Sequence, residues 1–421
     1  MDEIDSRFPP GEMPALRFNL RSCRMRLITA PTFLLFLSIA FAQSDKTGGI
    51  RRLDGSHISF GEAEAFAQET LAEAHVTGAE IAVLDRGKLV WNGAFGLRHK
   101  NPDQPMTLDT TTWAASITKS VFTTYVMTLV ERGEFDLDTP VARQLPQPLD
   151  TYEPYKRTAS EIVKDPAWQR VTPRMLLSHS SGLANFAFVE PDKKLHFHSA
   201  PGSSFLYSGE GFNLVQFVIE QKKGRNLDEL MQEAVFAPLG MKQTGLVYHE
   251  EFGTNVSDRF GAAEQFLAQT RRGPSRAAGS MTTSMSDLVR FTEAFLGGKI
   301  VSAKERRAMM KPVLKIHSDH LFPRGPNEKA DVDAERVGLA YGLGWGLLTH
   351  TRYGPAFFKE GHGDGAENYM ICFSKRASCI ILLTNSDNGE LTFRPLMEHL
   401  LGNTETPWEW EGYTPSSREM Q

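Results

Sequence analysis

Strand-like segments occur near both ends of this chain, and helical periodicity fills the space between them. Near the start, Ala79–Leu84 and Lys88–Trp91 read as strands, with Asp85-Arg86-Gly87 as a hairpin turn. Near the end, Leu343–Leu348, Pro355–Phe358, Tyr369–Phe373 and Cys379–Thr384 read the same way. Helices are expected at 117–132, where Gly133 is the stop signal, and at 172–178, 211–223, 226–236 and 285–297, with others at 60–75 and 392–401. One sheet built from both ends, with a helical region at roughly 117–280 inserted, accounts for this order. The expected fold class is therefore α/β (α+β). Residues 150–170 read as a surface excursion, and 315–336, charged and rich in Pro and Asp, as a mobile loop.

The chain has 421 residues, 41% of them hydrophobic and 23% charged, enough for a large core and one or two domains. Its formal net charge is −5 and no concentrated basic stripe occurs, which argues against nucleic acid or an anionic membrane surface as partner. Arg21, Arg24 and Arg26 precede an apolar run, Ile28–Ala42, that ends Ala40-Phe41-Ala42. This is the pattern of a secretory signal cleaved after Ala42, with Met1 or Met25 as the start. The run falls short of the roughly 20 residues a spanning helix needs, so the expectation is a periplasmic or secreted protein with no stable membrane span. Residues 1–42 are thus set aside, and 402–421 read as a C-terminal tail.

Cys23 lies in the removed segment. Cys372 and Cys379 bracket Ser374-Lys375-Arg376-Ala377, which can turn a hairpin that sets the two sulfurs face to face. An oxidising compartment permits a disulfide, but adjacent-strand disulfides are uncommon, and the expectation is two buried thiols.

Ser116-Ile117-Thr118-Lys119 is an S-x-x-K at the start of the 117–132 helix. Positions i and i+3 share a helix face, so the Lys119 amine can reach the Ser116 hydroxyl. A serine hydroxyl is a poor nucleophile until a base takes its proton. Lysine can be that base only if desolvation or neighbouring positive charge lowers its pKa, and the helix N-terminus works in that direction. Alone the motif is weak. It is followed in order by Leu176-Leu177-Ser178-His179-Ser180-Ser181-Gly182, Tyr207-Ser208-Gly209, Pro238-Leu239-Gly240-Met241, Ala278-Gly279-Ser280-Met281-Thr282-Thr283, Tyr341-Gly342-Leu343-Gly344-Trp345 and Gly361-His362-Gly363-Asp364-Gly365.

Over residues 57–401 this set resembles the serine β-lactamase and penicillin-binding protein superfamily, in its class C β-lactamase-like branch. The resemblance implies a β-lactamase-like fold: a mixed antiparallel sheet flanked by helices, with an inserted all-helical region. It implies Ser116 as acylated nucleophile, Lys119 as its base, and Tyr207, in the family's Y-x-N position, as a phenolate-like proton shuttle. It places His362-Gly363-Asp364 at the family's K-T-G strand motif, with His362 orienting Tyr207 or binding a substrate carboxylate, and the N–H groups of Ser116 and Gly365 as the oxyanion hole. Gly209 stands where the third residue of Y-x-N is Asn, so a contact to a substrate amide is missing and esters or D-amino-acid peptide-like amides are expected over β-lactams. A class C-like β-lactamase and a penicillin-binding sensor that does not turn over are the alternatives. His179 is expected to be structural. No cofactor is implied, and the scattered His196, His198, His317 and His320 lack metal-site spacing.

Overall fold

The computed structural model describes residues 48–322 and 332–413. The expected signal segment and the middle of the 315–336 loop lie outside the described residues. Helix α1 (Phe60–Glu73) starts at a capping box: Ser59 Oγ accepts from the Glu62 N–H at 3.1 Å, and the Glu62 carboxylate accepts from the Ser59 N–H. Strands β1 (Gly78–Asp85) and β2 (Lys88–His99) flank a two-residue turn, Arg86-Gly87, with φ of 51° and 70°, the left-handed pair that a tight hairpin needs. A short β3 (Gln104–Pro105) follows. The central helices are α2 (Ile117–Glu131), α3 (Gly209–Lys223, capped by Ser208) and α4 (Met285–Leu296, capped by Ser284). The chain then returns through β4 (Leu314–Lys315), β5 (Leu339–Tyr341), β6 (Gly346–Leu348), β7 (Ala356–Gly363), β8 (Ala366–Phe373) and β9 (Ser378–Thr384), and closes with α5 (Glu390–Leu400) and α6 (Trp408–Glu411).

Among the described residues these strands form one antiparallel sheet in the order β4-β5-β6-β7-β8-β9-β1-β2-β3. The pairing Ile381↔Ala82 and Cys379↔Leu84 joins the two ends of the chain, as the segment order predicts. β9 is apolar at successive positions because both its faces are covered. Ile381 and Leu383 pack with Phe122, Phe212 and Phe291 of the helical region, whereas Ile380 and Leu382 pack with Leu71 of α1 and Leu396 of α5. Burying each such side chain stabilises by about 1.5–3 kcal/mol.

Three expectations are corrected. Segment 150–170 is not a surface excursion: it folds into short 3₁₀ turns and sends Tyr155, Ile162 and Trp168 into the core. The region after 401 is no loose tail as far as Tyr413, because Trp410 is fully buried and the Tyr369 hydroxyl donates to Glu411 Oε1 at 2.8 Å. Cys372 and Cys379 are paired across β8 and β9 and form a disulfide; the hairpin register sets them opposite each other, which the general rarity of such bonds does not capture. Among the described residues no helix is long and apolar enough to cross a membrane.

Candidate active site

The short Thr112–Trp113 strand, paired to Thr282–Thr283, runs into α2 through Ala115, whose φ of 45° is left-handed although it is not glycine. Such a residue costs on the order of 1–3 kcal/mol and persists where the surroundings fix it. Here the Ala114 N–H donates to Met281 O and the Met281 N–H donates to Thr118 Oγ1, both at 3.0 Å. The turn leaves Ser116 at the mouth of the helix with a backbone N–H that has no acceptor among the described residues.

Lys119, one turn on, is 1% exposed, and its Nζ lies 2.9 Å from Ser116 Oγ. The same Nζ donates to Ala278 O, which fixes the amine against the Ala278-Gly279-Ser280 segment. Burial, and then repulsion from Lys359, push the Lys119 amine well below its ordinary value. The shift favours the free amine, the form that can take a proton.

Tyr207 precedes α3 and is 4% exposed. Its hydroxyl accepts from Lys359 Nζ and is acted on by the Ser116 side chain, and Lys119 Nζ and Lys359 Nζ each lie 5.0 Å from its ring centroid. Burial, reinforced by the Glu360 carboxylate, pushes the phenol well above its ordinary value, so Tyr207 rests protonated rather than as the phenolate-like group expected from sequence. His179 holds it in place as a structural residue: its ring stacks on Tyr207 at 4.2 Å, and its Nδ1 accepts from the Ser208 N–H at 2.9 Å. Burial and the two lysines keep that imidazole neutral, well below its ordinary pKa.

The third wall is β7. Beyond Phe358 its outer edge has no strand partner among the described residues, because β6 pairs only with Ala356–Phe358. Lys359, 0% exposed, donates from Nζ to Tyr207 Oη at 3.2 Å and pairs with Glu360. Lys359 thus occupies the place assigned from sequence to His362, and the K-T-G position is Lys359-Glu360-Gly361. The signal was legible: this tripeptide keeps the first and third letters of K-T-G, and His362-Gly363-Asp364 keeps neither.

The other predicted residues shift accordingly. Side chains alternate along a strand, so Lys359, Gly361 and Gly363 face α2, where a β-carbon on Gly361 would meet Ala114 O and one on Gly363 the Trp113 ring. The His362 ring lies on the opposite face and does not reach Tyr207: its Nδ1 is bonded to Glu367 and its Nε2 to the Tyr413 hydroxyl. Burial alone would lower its pKa, but the Glu367 and Glu360 carboxylates outweigh that and push it up to about 9. Gly365 is a turn residue at φ 69° whose N–H donates to Asp387, so it is not free for an oxyanion. The register supplies a different donor. Gly363↔Ala366 closes the hairpin as a hydrogen-bonded pair, so the next pair, His362↔Glu367, turns its N–H and C=O groups outward. The His362 N–H therefore points to the open edge. At Gly209 there is no room for the missing Asn: a β-carbon would strike Phe186 and Asn185, and the Gly209 N–H donates to Asn185 Oδ1 at 2.8 Å. Asn185 brings an amide to the cleft from another loop.

Ser116, Lys119 and Tyr207 open onto a cleft of about 900 Å³ walled by Trp113, Asn185, Phe186, Phe217 and Arg272. On the far side of β7, His362, Glu367 and Glu390 place potential ligand atoms within 4.8 Å of one another, but both imidazole nitrogens are already engaged.

The Beta-lactamase family model matches residues 63–400. Penicillin-binding protein 4 of Amycolatopsis lactamdurans is 25% identical over 362 residues, which cover 78% of this chain and 86% of that protein. Esterase EstB of Burkholderia gladioli is 30% identical over 213 residues, 44% of this chain and 51% of the esterase. The octameric penicillin-binding protein homologue from Pyrococcus abyssi superposes with a TM-score of 0.66 at 23% identity, over 83% of this chain and 80% of that one. D-amino acid amidase from Ochrobactrum anthropi SV3 superposes at 0.60, also with 23% identity, over 86% and 98%.

Proposed function

Because this chain belongs to the Beta-lactamase family, we propose that it is a serine hydrolase that acylates Ser116 with esters or D-amino-acid peptide-like amides. The observation that carries the reading is the buried Lys119 amine 2.9 Å from the Ser116 hydroxyl, its pKa held well below the ordinary lysine value, with the Tyr207 ring 5.0 Å from the same nitrogen. Lys119 takes the Ser116 proton as Oγ bonds to the substrate carbonyl carbon. The resulting oxyanion is met by the N–H groups of Ser116 and His362, donors fixed before the reaction begins. Tyr207 gives its hydroxyl proton to the leaving oxygen or nitrogen, and the Lys359 ammonium stabilises the transient phenolate. Water then attacks the acyl-enzyme and its proton returns to Tyr207. Lys119 returns the first proton to Ser116 Oγ, which closes the cycle.

Esters and amides are favoured over β-lactams because Gly209 departs from Y-x-N, while Asn185 still offers an amide to a substrate with a peptide-like group. Export to the periplasm or beyond is part of the proposal. It is supported by the Arg21–Ala42 segment and by the Cys372–Cys379 disulfide, a bond of oxidising compartments. Intact-mass spectrometry after exposure to a p-nitrophenyl ester and, separately, a fluorescent penicillin tests the reaction. Turnover of the ester and any covalent adduct are expected to vanish in Ser116→Ala, with a rate loss approaching ~10⁶-fold. Equal turnover by the variant would remove Ser116 from the mechanism, and fast opening of a chromogenic cephalosporin would move the assignment to β-lactamase.

A further inference from the structure

We propose that Arg272 forms an anion subsite at the acyl end of the cleft, so that preferred substrates carry a carboxylate at the end of the acyl chain. The inference rests on the hydrolase reading above and names its substrate class. Arg272 and Ser116 line the same cleft. The guanidinium stacks on Trp113 with Cζ 3.9 Å from the ring centroid, and Trp113 is itself pinned by donation from Nε1 to Gly279 O at 2.6 Å. Its Nε is buried and without an acceptor, and no carboxylate pairs with Arg272 among the described residues. The acids nearby are engaged elsewhere: Asp364 and Asp387 act on Arg259, Glu210 on Tyr155 and Arg276, and Glu220 accepts from the Leu227 N–H. The nearest charge acting on Arg272 is Arg259, a like charge on the same indole at 5.0 Å, and burial together with that neighbour lowers the Arg272 pKa. A partly buried cation facing another cation is destabilising unless an anion arrives. The rigid guanidinium fork suits a carboxylate held by two parallel hydrogen bonds.

The geometry also says which half of the substrate the anion belongs to. Tyr207, the donor to the leaving group, is held by Lys359 at one end of the open β7 edge. Trp113, which carries Arg272, lies against Gly363 at the other end, ~13 Å away at the usual rise per residue. The leaving group thus lies towards Lys359 and the acyl chain towards Arg272.

The test compares p-nitrophenyl butyrate with mono-p-nitrophenyl glutarate, which share a leaving group and differ by the acyl carboxylate. Wild type is expected to favour the glutarate ester by roughly 10- to 100-fold in kcat/KM. Arg272→Gln brings that ratio close to one, and Arg272→Lys keeps part of it. Arg271→Gln keeps all of it, because Arg271 stacks on Tyr248 away from the cleft. Free glutarate, titrated calorimetrically, gives a readout without turnover: saturable binding to wild type and to Ser116→Ala, lost in Arg272→Gln. If neither ester is hydrolysed but glutarate binds in that pattern, the hydrolase reading falls and the subsite stands. If wild type and Arg272→Gln show the same ester ratio and the same glutarate affinity, the subsite is overturned whether or not Ser116 is catalytic.

Discussion

Strand β7 carries ionisable clusters on both faces, and they behave oppositely. Towards α2, Lys119, Tyr207 and Lys359 crowd two amines around one phenol, with the Glu360 carboxylate paired to Lys359 and Glu411 acting more weakly. Towards α5 and α6, His362 sits among Glu367, Glu360 and Tyr413, with Glu411 behind. Burial, and then the Lys359 charge, push the Lys119 amine well below its ordinary value and favour its free form. Excess negative charge drives His362 cationic, while burial pushes Glu411 up to about 8. The same sheet therefore faces an amine with a depressed pKa on one side and carries a paired cation on the other, and it is the amine that lies 2.9 Å from Ser116 Oγ.

The sharpest way to break this contrast is Lys119→Ala, which is expected to lower kcat/KM for a p-nitrophenyl ester by ~10³-fold or more. In wild type the rate should fall as pH drops through the Lys119 pKa, since only the free amine accepts the serine proton. That pKa lies well below the ordinary lysine value, and a pH–rate profile reads it. If activity persists in Lys119→Ala, the base lies elsewhere.

Tyr207→Phe and Lys359→Met should each cost ~10²-fold. The two effects should be far from additive in the double variant, because Lys359 acts on the oxygen that Tyr207→Phe removes. Additive losses in that kinetic cycle would separate the two residues.

Asn185→Ala should slow hydrolysis of a D-amino-acid amide by ~10-fold and leave a simple ester nearly unaffected. Equal effects on both substrates would make Asn185 a support for Gly209 rather than a substrate contact.

The other face is expected to matter least for rate. His362→Asn keeps the backbone N–H and should change kcat by no more than ~5-fold. It should nevertheless lower stability by ~3 kcal/mol, as it strands a half-buried Glu367, which urea unfolding measures. The raised His362 pKa fixes the sign. The imidazolium's stabilisation is present below the unfolded histidine value near ~6.5 and is lost as pH rises through about 9, while burial, which outweighs His362, pushes Glu367 up to about 7, so the variant's deficit should be largest between about 7 and about 9 and shrink on either side. A large rate loss with unchanged stability would move His362 into the chemistry.

Several elements were legible because their causes are local. The Ser59 cap with Glu62, the Arg86-Gly87 hairpin, and the i, i+3 spacing of Ser116 and Lys119 are read directly from the letters. The same holds for the segment order that forces β1 and β9 into one sheet. What the letters left open was set by contacts between distant segments. The motif pattern points to His362, yet strand alternation and the hairpin closed at Asp364-Gly365 put Lys359 beside Tyr207 and turn the His362 ring away. Gly365 lost its expected role to an acceptor on Asp387, and the amide absent at Gly209 arrives from Asn185. Spacing within one helix was enough to pair Ser116 with the Lys119 amine, and the placement of apolar runs was enough to order the layers. Folding settled which lysine faces the phenol, which N–H is free, and that Arg272 enters the cleft without a counter-charge among the described residues. Those outcomes depend on burial and on partners far away in the chain, which no local pattern encodes.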